Sequence, residues 1–419
     1  MGYNERKELI EKLEKERNST IVTLITSDRY STIPLQGIQS QIAADQVFQI
    51  ITHLDKIVKT GKTLDTIDLF LYSRGGYVNS AWPIVKTIRN YSKKFNVLVP
   101  LFAHSAATLI ALGADKIIMC RNGSLSPIDP TVANAFNPEK NNQSLGISVE
   151  DVTSFVDLAK DGEDIGIKGE DNITKVFEIL ANKVHPLALG NVKRAHTQIR
   201  LLAKKLLTLH MEAGNEKISK IVDELTERLY THHHNIFRDE ASKSIGLDEI
   251  IENAKGAEEE LMWKIYKDYE EEIKLKEFFD INMFLGDEDE KILETTPVFI
   301  ESKILSTKFQ FKQKIKRAFP QDPNFRLQVI AQNDQFQQQV KNFRTQLLQF
   351  KSNLNAVRQQ VFIPVNPETP NPQMQQIDQV FAQIDAQLNN LLGGLPKGLN
   401  VSDLKKQVEF ELEFIGWIN

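Results

Sequence analysis

The sequence predicts an α/β protein with a mainly parallel sheet and an α-helical C-terminal extension, and three features carry that expectation. Apolar, β-rich runs alternate with segments of helical periodicity up to about residue 120. Two of those runs end in small residues, Gly75-Gly76 and Ser105-Ala106. Beyond about residue 257 the composition changes, first to a run dense in Glu and Lys and then to a Gln-rich tract with heptad spacing.

Residues 1–18 form a charged helical pattern with no apolar stretch of signal-peptide length, so no export signal is expected. STIVTLIT then reads as a strand, AADQVFQIITHLDKIVK as a helix and IDLFLYS as a second strand that runs into Arg74-Gly75-Gly76. A helix over roughly Ser80 to Tyr91 leads to the strand NVLVPLF, a helix after Ser105, and the strand KIIMC. Such alternation implies right-handed crossovers, and it places ligand sites at the carboxyl ends of the strands, where Gly75, Gly76 and Ser105 fall. The stretch Val97 to Ala114 is nearly as apolar as a membrane span. Pro100, His104 and Ser105 interrupt it, which makes it strand, turn and buried helix.

From about Asp151 to Arg228 the pattern is helical, interrupted by KDGEDIGIKGED. THHHNIFRDEASKSIGLDEIIENA reads as a short edge strand and one last helix. Phe336, Val340, Phe343, Leu347, Phe350, Leu354, Val357 and Val361 then keep a heptad rhythm, as do Met374, Ile377, Phe381, Ile384, Leu388 and Leu391. Between them FIPVNPETPNP cannot continue a helix, so an antiparallel helical hairpin is expected, packed on its own chain or projecting as an arm for oligomers or partners. The expected parts are therefore an N-terminal helix (1–18), an α/β domain (19–256), a mainly helical connecting region (257–325), the hairpin (326–395) and a C-terminal tail (396–419).

Net charge is only −5, from 51 basic and 56 acidic residues, which gives no footprint for nucleic acid. The single cysteine, Cys120, cannot form an internal disulfide and reads as a buried thiol in a reducing, cytoplasmic setting. No phosphate-binding loop or dinucleotide fingerprint appears, so neither an intrinsic ATPase nor a cofactor is implied.

A serine on a tight strand-to-helix turn, with a Gly-Gly pair after a neighbouring strand, suits acyl transfer. The serine attacks, and backbone N–H groups approach the carbonyl oxygen with no side chain in the way. Each signal alone is common, and a serine before an apolar helix is often only an N-cap. The pair, in order and after separate strands, is what points to chemistry.

LYSRGGYVNSAWPIVKTIR, VPLFAHSAATLIALGADKIIM and GSLSPIDPTV together resemble the serine dehydrogenase proteinase family, a Clp-fold relative of signal peptide peptidase A in the Clp/crotonase superfamily. The resemblance spans roughly residues 9 to 255. It implies a repeated ββα core that assembles into rings, Ser105 as nucleophile, and an oxyanion hole from Gly75, Gly76 and the N–H of Ala106. Relatives often carry Gly-Gly after the serine and an N-terminal membrane segment, where this chain has Ala106-Ala107 and no such segment; the resemblance then implies a soluble branch. Clp subunits use a histidine about 25 residues after the serine, a place held here by Asp129. Signal peptide peptidases use a Ser-Lys dyad with the lysine about fifty residues on, to which Lys160 is nearest in spacing. Lys160 also reads as a solvated lysine beside Asp161; Lys168 and His185 are the alternative bases.

His104 adjoins Ser105, yet adjacent side chains on a tight turn diverge. Three consecutive histidines, His232 to His234, cannot converge on one ion, so no metal site is expected. The function expected is an ATP-independent serine endopeptidase acting on peptides or proteins as a homo-oligomer. A crotonase-like acyl-CoA enzyme and a catalytically silent assembly protein are the alternatives.

Overall fold

The central strands are nearly continuous apolar runs because both their faces are covered. In a computed structural model, which describes the chain apart from residues 1, 27–39, 59–61, 129–130, 133–138, 141–142, 145–146, 161–166, 168, 229–233, 278, 319–322, 362–371, 395–406 and 419, helix α1 (Tyr3–Arg17) precedes strand β1 (Thr20–Thr26). Then come α2 (Gln46–Ile57), β2 (Leu64–Tyr72), α3 (Ala81–Tyr91) and β3 (Ser92–Val99). Pro100 has no N–H to continue the ladder, and the chain resumes as a separate short strand, β4 (Phe102–Ala103), before α4 (Ala106–Leu112). β5 (Lys116–Met119) is likewise followed by the short β6 (Ser124–Leu125). Helices α5 (Val149–Lys160), α6 (Glu170–Lys183), α7 (Pro186–Leu207) and α8 (Glu216–Asp223) fill the helical stretch.

Two strands follow, β7 (Ile236–Phe237) and β8 (Ile251–Asn253), then helix α9 (Gly256–Glu272). The short edge strand and the helix after it that the sequence predicts are β7 and the helical turns over Arg238–Glu240 and Ala241–Ile245. Beyond them β8, which the sequence reading does not include, lies parallel to β5 and pairs Ile251 with Ile117. Residues 257–325 are not mainly helical. After α9 and a short helix they form a β-hairpin, β9 (Glu290–Ser302) and β10 (Leu305–Ala318). The Lys and Glu density hides a period of two, in which Phe311, Gln313 and Ile315 are buried between less buried lysines. The C-terminal stretch also carries a strand, β11 (Gln407–Ile418). The large sheet runs β8-β5-β3-β2-β1-β9-β10-β11, parallel from β8 to β1 and antiparallel where Thr23 meets Glu301 on β9. A second, small sheet runs β7-β6-β4, with Ser73 bridging to Ala103 at its edge. Long strand, short strand and helix thus recur, which is the repeated ββα arrangement of a Clp/crotonase-like α/β core.

Side-chain alternation assigns the two faces. Val22, Leu24, Leu69, Leu71, Val97 and Val99 pack with α2, α3, α4 and α7, while Ile21, Ile25, Phe70, Tyr72 and Leu98 pack with α1, α9 and Phe299. On the second face lies the fully buried Arg6. Its Nε and Nη2 donate to both oxygens of Glu301 at 2.8 and 2.9 Å, and Nη1 donates to Asp268 at 2.7 Å. Burial opposes the charge on Glu301, but the Arg6 fork and the Tyr269 and Ser306 hydroxyls outweigh it and hold the carboxyl below its usual range. Cys120 is buried on this face without a disulfide, and burial pushes its thiol up to about 12.

Residues 1–286, 292–313 and 412–419 make one compact unit; residues 287–291 and 314–411 make another. The second holds helices α10 (Pro323–Val361) and α11 (Pro372–Gly394), which meet where Lys351 donates to Asn389 at 2.7 Å and pairs with Asp385 at 3.3 Å. Among the described residues no helix is long and apolar enough to cross a membrane.

His53 of α2 is fully buried, with its ring nitrogens 2.9 Å from Ser302 Oγ and 2.9 Å from Thr307 Oγ1 of the hairpin. Burial lowers its pKa from 6.5 to about 4. The unfolded chain therefore takes up this proton before the folded one, and stability present above pH 6.5 is lost as the pH falls toward 4. Urea unfolding across that window is expected to show wild type losing about 3 kcal/mol more than His53→Gln. Equal pH dependence of the two would exclude a buried neutral His53.

Candidate active site

The site forms where β2 and β3 deliver their carboxyl ends side by side. After β2, Ser73 N–H donates to Phe102 O at 2.9 Å and His104 N–H donates to Ser73 O at 2.9 Å, so the Gly75-Gly76 turn is laced to the Ser105 turn. Gly75 has φ 116° and Gly76 φ 151°. A Cβ on Gly75 would lie 2.7 Å from Ser105 Cβ, and one on Gly76 would lie 2.3 Å from the Ile42 backbone, so neither position admits a side chain.

Ser105 is half-buried at the start of α4, with φ 53° and ψ −114°, a conformation rare outside glycine. The surroundings enforce it. Its N–H donates to Ser126 Oγ at 2.8 Å, Leu109 N–H donates to its carbonyl at 3.1 Å, and all seven residues of α4 are buried. Ser126 is itself fixed, its N–H donating to Thr108 Oγ1 at 3.1 Å, while that hydroxyl donates to Ala103 O at 2.7 Å. Ser105 Oγ comes within 3.2 Å of the place a Gly75 Cβ would take.

The backbone donors here divide into used and unused. Gly75 N–H donates to Ser73 Oγ at 3.0 Å and Ser105 N–H to Ser126. Gly76 N–H and Ala106 N–H, each one residue further on, have no acceptor among the described residues. Two open amides beside a serine held in a strained turn can receive a carbonyl oxygen that gains charge as the serine attacks.

The family model for ClpP-like SDH-type serine proteinases matches residues 2–161. An uncharacterized protein of Methanocaldococcus jannaschii is 30% identical over 248 residues, 58% of this chain and 72% of that protein. The chain belongs to the ClpP-like SDH-type serine proteinase family. A second uncharacterized protein of the same organism is 27% identical over 139 residues, 32% of this chain and 44% of that protein. Among solved structures, a mutant of ClpP1 from Listeria monocytogenes has 15% identity and TM-score 0.27, covering 58% of this chain and 96% of that one. A mutant of the 1510-N membrane-bound stomatin-specific protease has 22% identity and TM-score 0.21, covering 28% of this chain and 55% of that one.

In this SDH-type chain Gly75 packs directly against Ser105, with Gly76 and Ala106 the next residues along each turn, and the described basic residues singled out from the sequence have the following surroundings. Lys160 is exposed at the end of α5. His185 caps α7, its Nδ1 accepting from Leu187 N–H at 3.2 Å. His104 is buried and turns away, its Nε2 3.0 Å from Ser124 Oγ and its ring 4.9 Å from that of Phe102. His234 pairs with Glu240 at 2.7 Å. Asp129, Lys168, His232 and His233 lie outside the described residues. No lysine or histidine among the described residues hydrogen-bonds Ser105 Oγ. Sequence reasoning passed over Ser73 and Ser126. Ser73 has a local signal, a hydroxyl two residues ahead of the glycine whose N–H it accepts, whereas Ser126 is 21 residues from Ser105 and has none.

Because the Ser105 backbone is strained, removing its side chain and removing its Cβ have different effects. Ser105→Gly is expected to be more stable than Ser105→Ala by about 1–2 kcal/mol in chemical denaturation, the reverse of the order found inside a helix. A Gly variant less stable than the Ala variant would mean that Ser105 carries no such strain.

Proposed function

We propose that this chain is an ATP-independent serine endopeptidase that cleaves peptide bonds through an acyl-enzyme on Ser105. The observation that carries the reading is a pair of amides with no acceptor among the described residues, Ala106 N–H next to Ser105 in its strained turn and Gly76 N–H one residue after the glycine that packs on Ser105. Membership in a serine proteinase family supports the same reading.

In this reaction the substrate carbonyl lies between those amides and Ser105 Oγ attacks it. A base takes the hydroxyl proton as the new C–O bond forms, and the carbonyl π electrons move onto the oxygen, which gains hydrogen bonds from Gly76 and Ala106 as it becomes negative. Collapse expels the amine, which takes the proton back from the base. Water, deprotonated by the same base, then releases the acid and restores Ser105. Gly75 contributes by lacking a side chain: its Cβ would occupy the space beside Ser105 Oγ. Lys160 is the base this reading carries forward, with Lys168 and His185 as alternatives; the cap hydrogen bond at His185 Nδ1 weighs against the histidine. The working form in this reading is a homo-oligomer, ring or trimer-based, and the α10–α11 pair takes a protein partner or joins copies.

Two measurements test it. Intact mass after treatment with a fluorophosphonate is expected to show one adduct on wild type and none on Ser105→Ala. A well-folded wild type that stays unlabelled would remove the peptidase reading in favour of a silent assembly protein. Second, Lys160→Ala is expected to slow acylation by about 10²- to 10⁴-fold, the range for loss of a general base. A wild-type rate in that variant would transfer the role to Lys168 or His185, each tested the same way.

A further inference from the structure

Two buried hydroxyls outside the reacting set stand in matching places. Ser73 is fully buried and Ser126 is 2% exposed. Each accepts the N–H of the residue immediately before one of the open amides, Gly75 before Gly76 and Ser105 before Ala106. We infer that Ser73 and Ser126 are positioning residues that aim the Gly76 and Ala106 N–H groups at the substrate oxygen, an inference that rests on the reading of Ser105 as nucleophile.

The geometry follows from peptide planarity, because an N–H and the carbonyl bonded to it point in opposite directions. The Gly76 N–H shares its peptide plane with Gly75 O. That oxygen accepts from Ile42 N–H at 2.8 Å and from Ser73 Oγ at 3.2 Å, while Ser73 Oγ accepts Gly75 N–H at 3.0 Å. One hydroxyl therefore holds both peptide planes around Gly75, a residue with no side chain to restrict its own rotation. Thr26 Oγ1, also fully buried, donates to Ser73 Oγ at 2.9 Å and fixes its position.

The Ala106 side works in the same way. Its N–H shares a plane with Ser105 O, which the helix holds through Leu109 N–H at 3.1 Å. The plane before it is held by Ser105 N–H on Ser126 Oγ at 2.8 Å. Ser126 Oγ donates its own hydrogen to Pro127 O at 2.9 Å, so a lone pair faces Ser105 N–H. Ser73 thus holds the planes on both sides of Gly75, and Ser126 together with Leu109 N–H those on both sides of the strained Ser105; preorganised donors stabilise a developing oxyanion at no cost of reorganisation.

Fluorophosphonate labelling, followed as a rate against probe concentration, separates probe affinity (KI) from the rate of covalent reaction (kinact). Ser73→Ala and Ser126→Ala are each expected to lower kinact about 10- to 100-fold, less than outright loss of an oxyanion donor. KI is expected to stay within about twofold, because the effect belongs to the transition state. Ser73→Cys and Ser126→Cys, which keep an acceptor of similar size, are expected to fall between Ala and wild type, and they carry the test if an Ala variant fails to fold. Variants that label at the wild-type kinact, or that lose only KI, would overturn the positioning role while leaving Ser105 as nucleophile. Wild type that does not label at Ser105 would overturn the nucleophile reading and this inference with it.

Discussion

Gly75 sits so close to the Ser105 turn that a single added carbon would lie 2.7 Å from Ser105 Cβ and 3.0 Å from His104 O. The site depends on that approach. It requires glycine at the end of β2, and it requires β3 to stop at Pro100 so that the chain can step into the second small sheet before turning at Ser105. The backbone bonds from Ser73 to Phe102 and from His104 to Ser73 join the two turns, so neither moves without the other. The strain in Ser105 is sustained by what surrounds it: a seven-residue helix buried on every side, and a hydrogen bond from its own N–H.

Further from the site, the unit is completed by polar contacts that sequence patterning does not reveal. The Arg6 fork joins α1, α9 and β9 around a bidentate pair with Glu301, and its guanidinium lies 4.4 Å from the Tyr269 ring centroid. A buried ion pair of this kind adds little net stability over an apolar replacement, but removing one partner strands the other. Its place in the fold is specific. It fixes the hairpin against the antiparallel side of β1, leaving the parallel side, with β2 and β3, to build the site.

Much of this was legible in the sequence because the chemistry forced particular residue types. Strands covered on both faces read as unbroken apolar runs, and glycines that admit no Cβ cannot be disguised. Gly75 and Gly76 stand out for that reason, and the structure packs Gly75 on Ser105. What escaped had no local signature. The hairpin from Glu290 to Ala318 was masked by its lysines and glutamates, the edge strand Ile251–Asn253 is three residues long, and the strand Gln407–Ile418 passed for a tail. Ser126 acts across 21 residues, a distance at which only the fold brings it to Ser105. For the base the sequence offers only spacing, which points to Lys160 without a local signature of its own.

The central claim is that Gly76 and Ala106 form the oxyanion site for Ser105. The direct measurement is a crystal structure of the protein with a peptide boronic acid. The account predicts a covalent bond from Ser105 Oγ to boron and one boronate oxygen about 2.7–3.1 Å from both amide nitrogens. An adduct on another residue, or a Ser105 adduct whose oxygens meet neither amide, would contradict it.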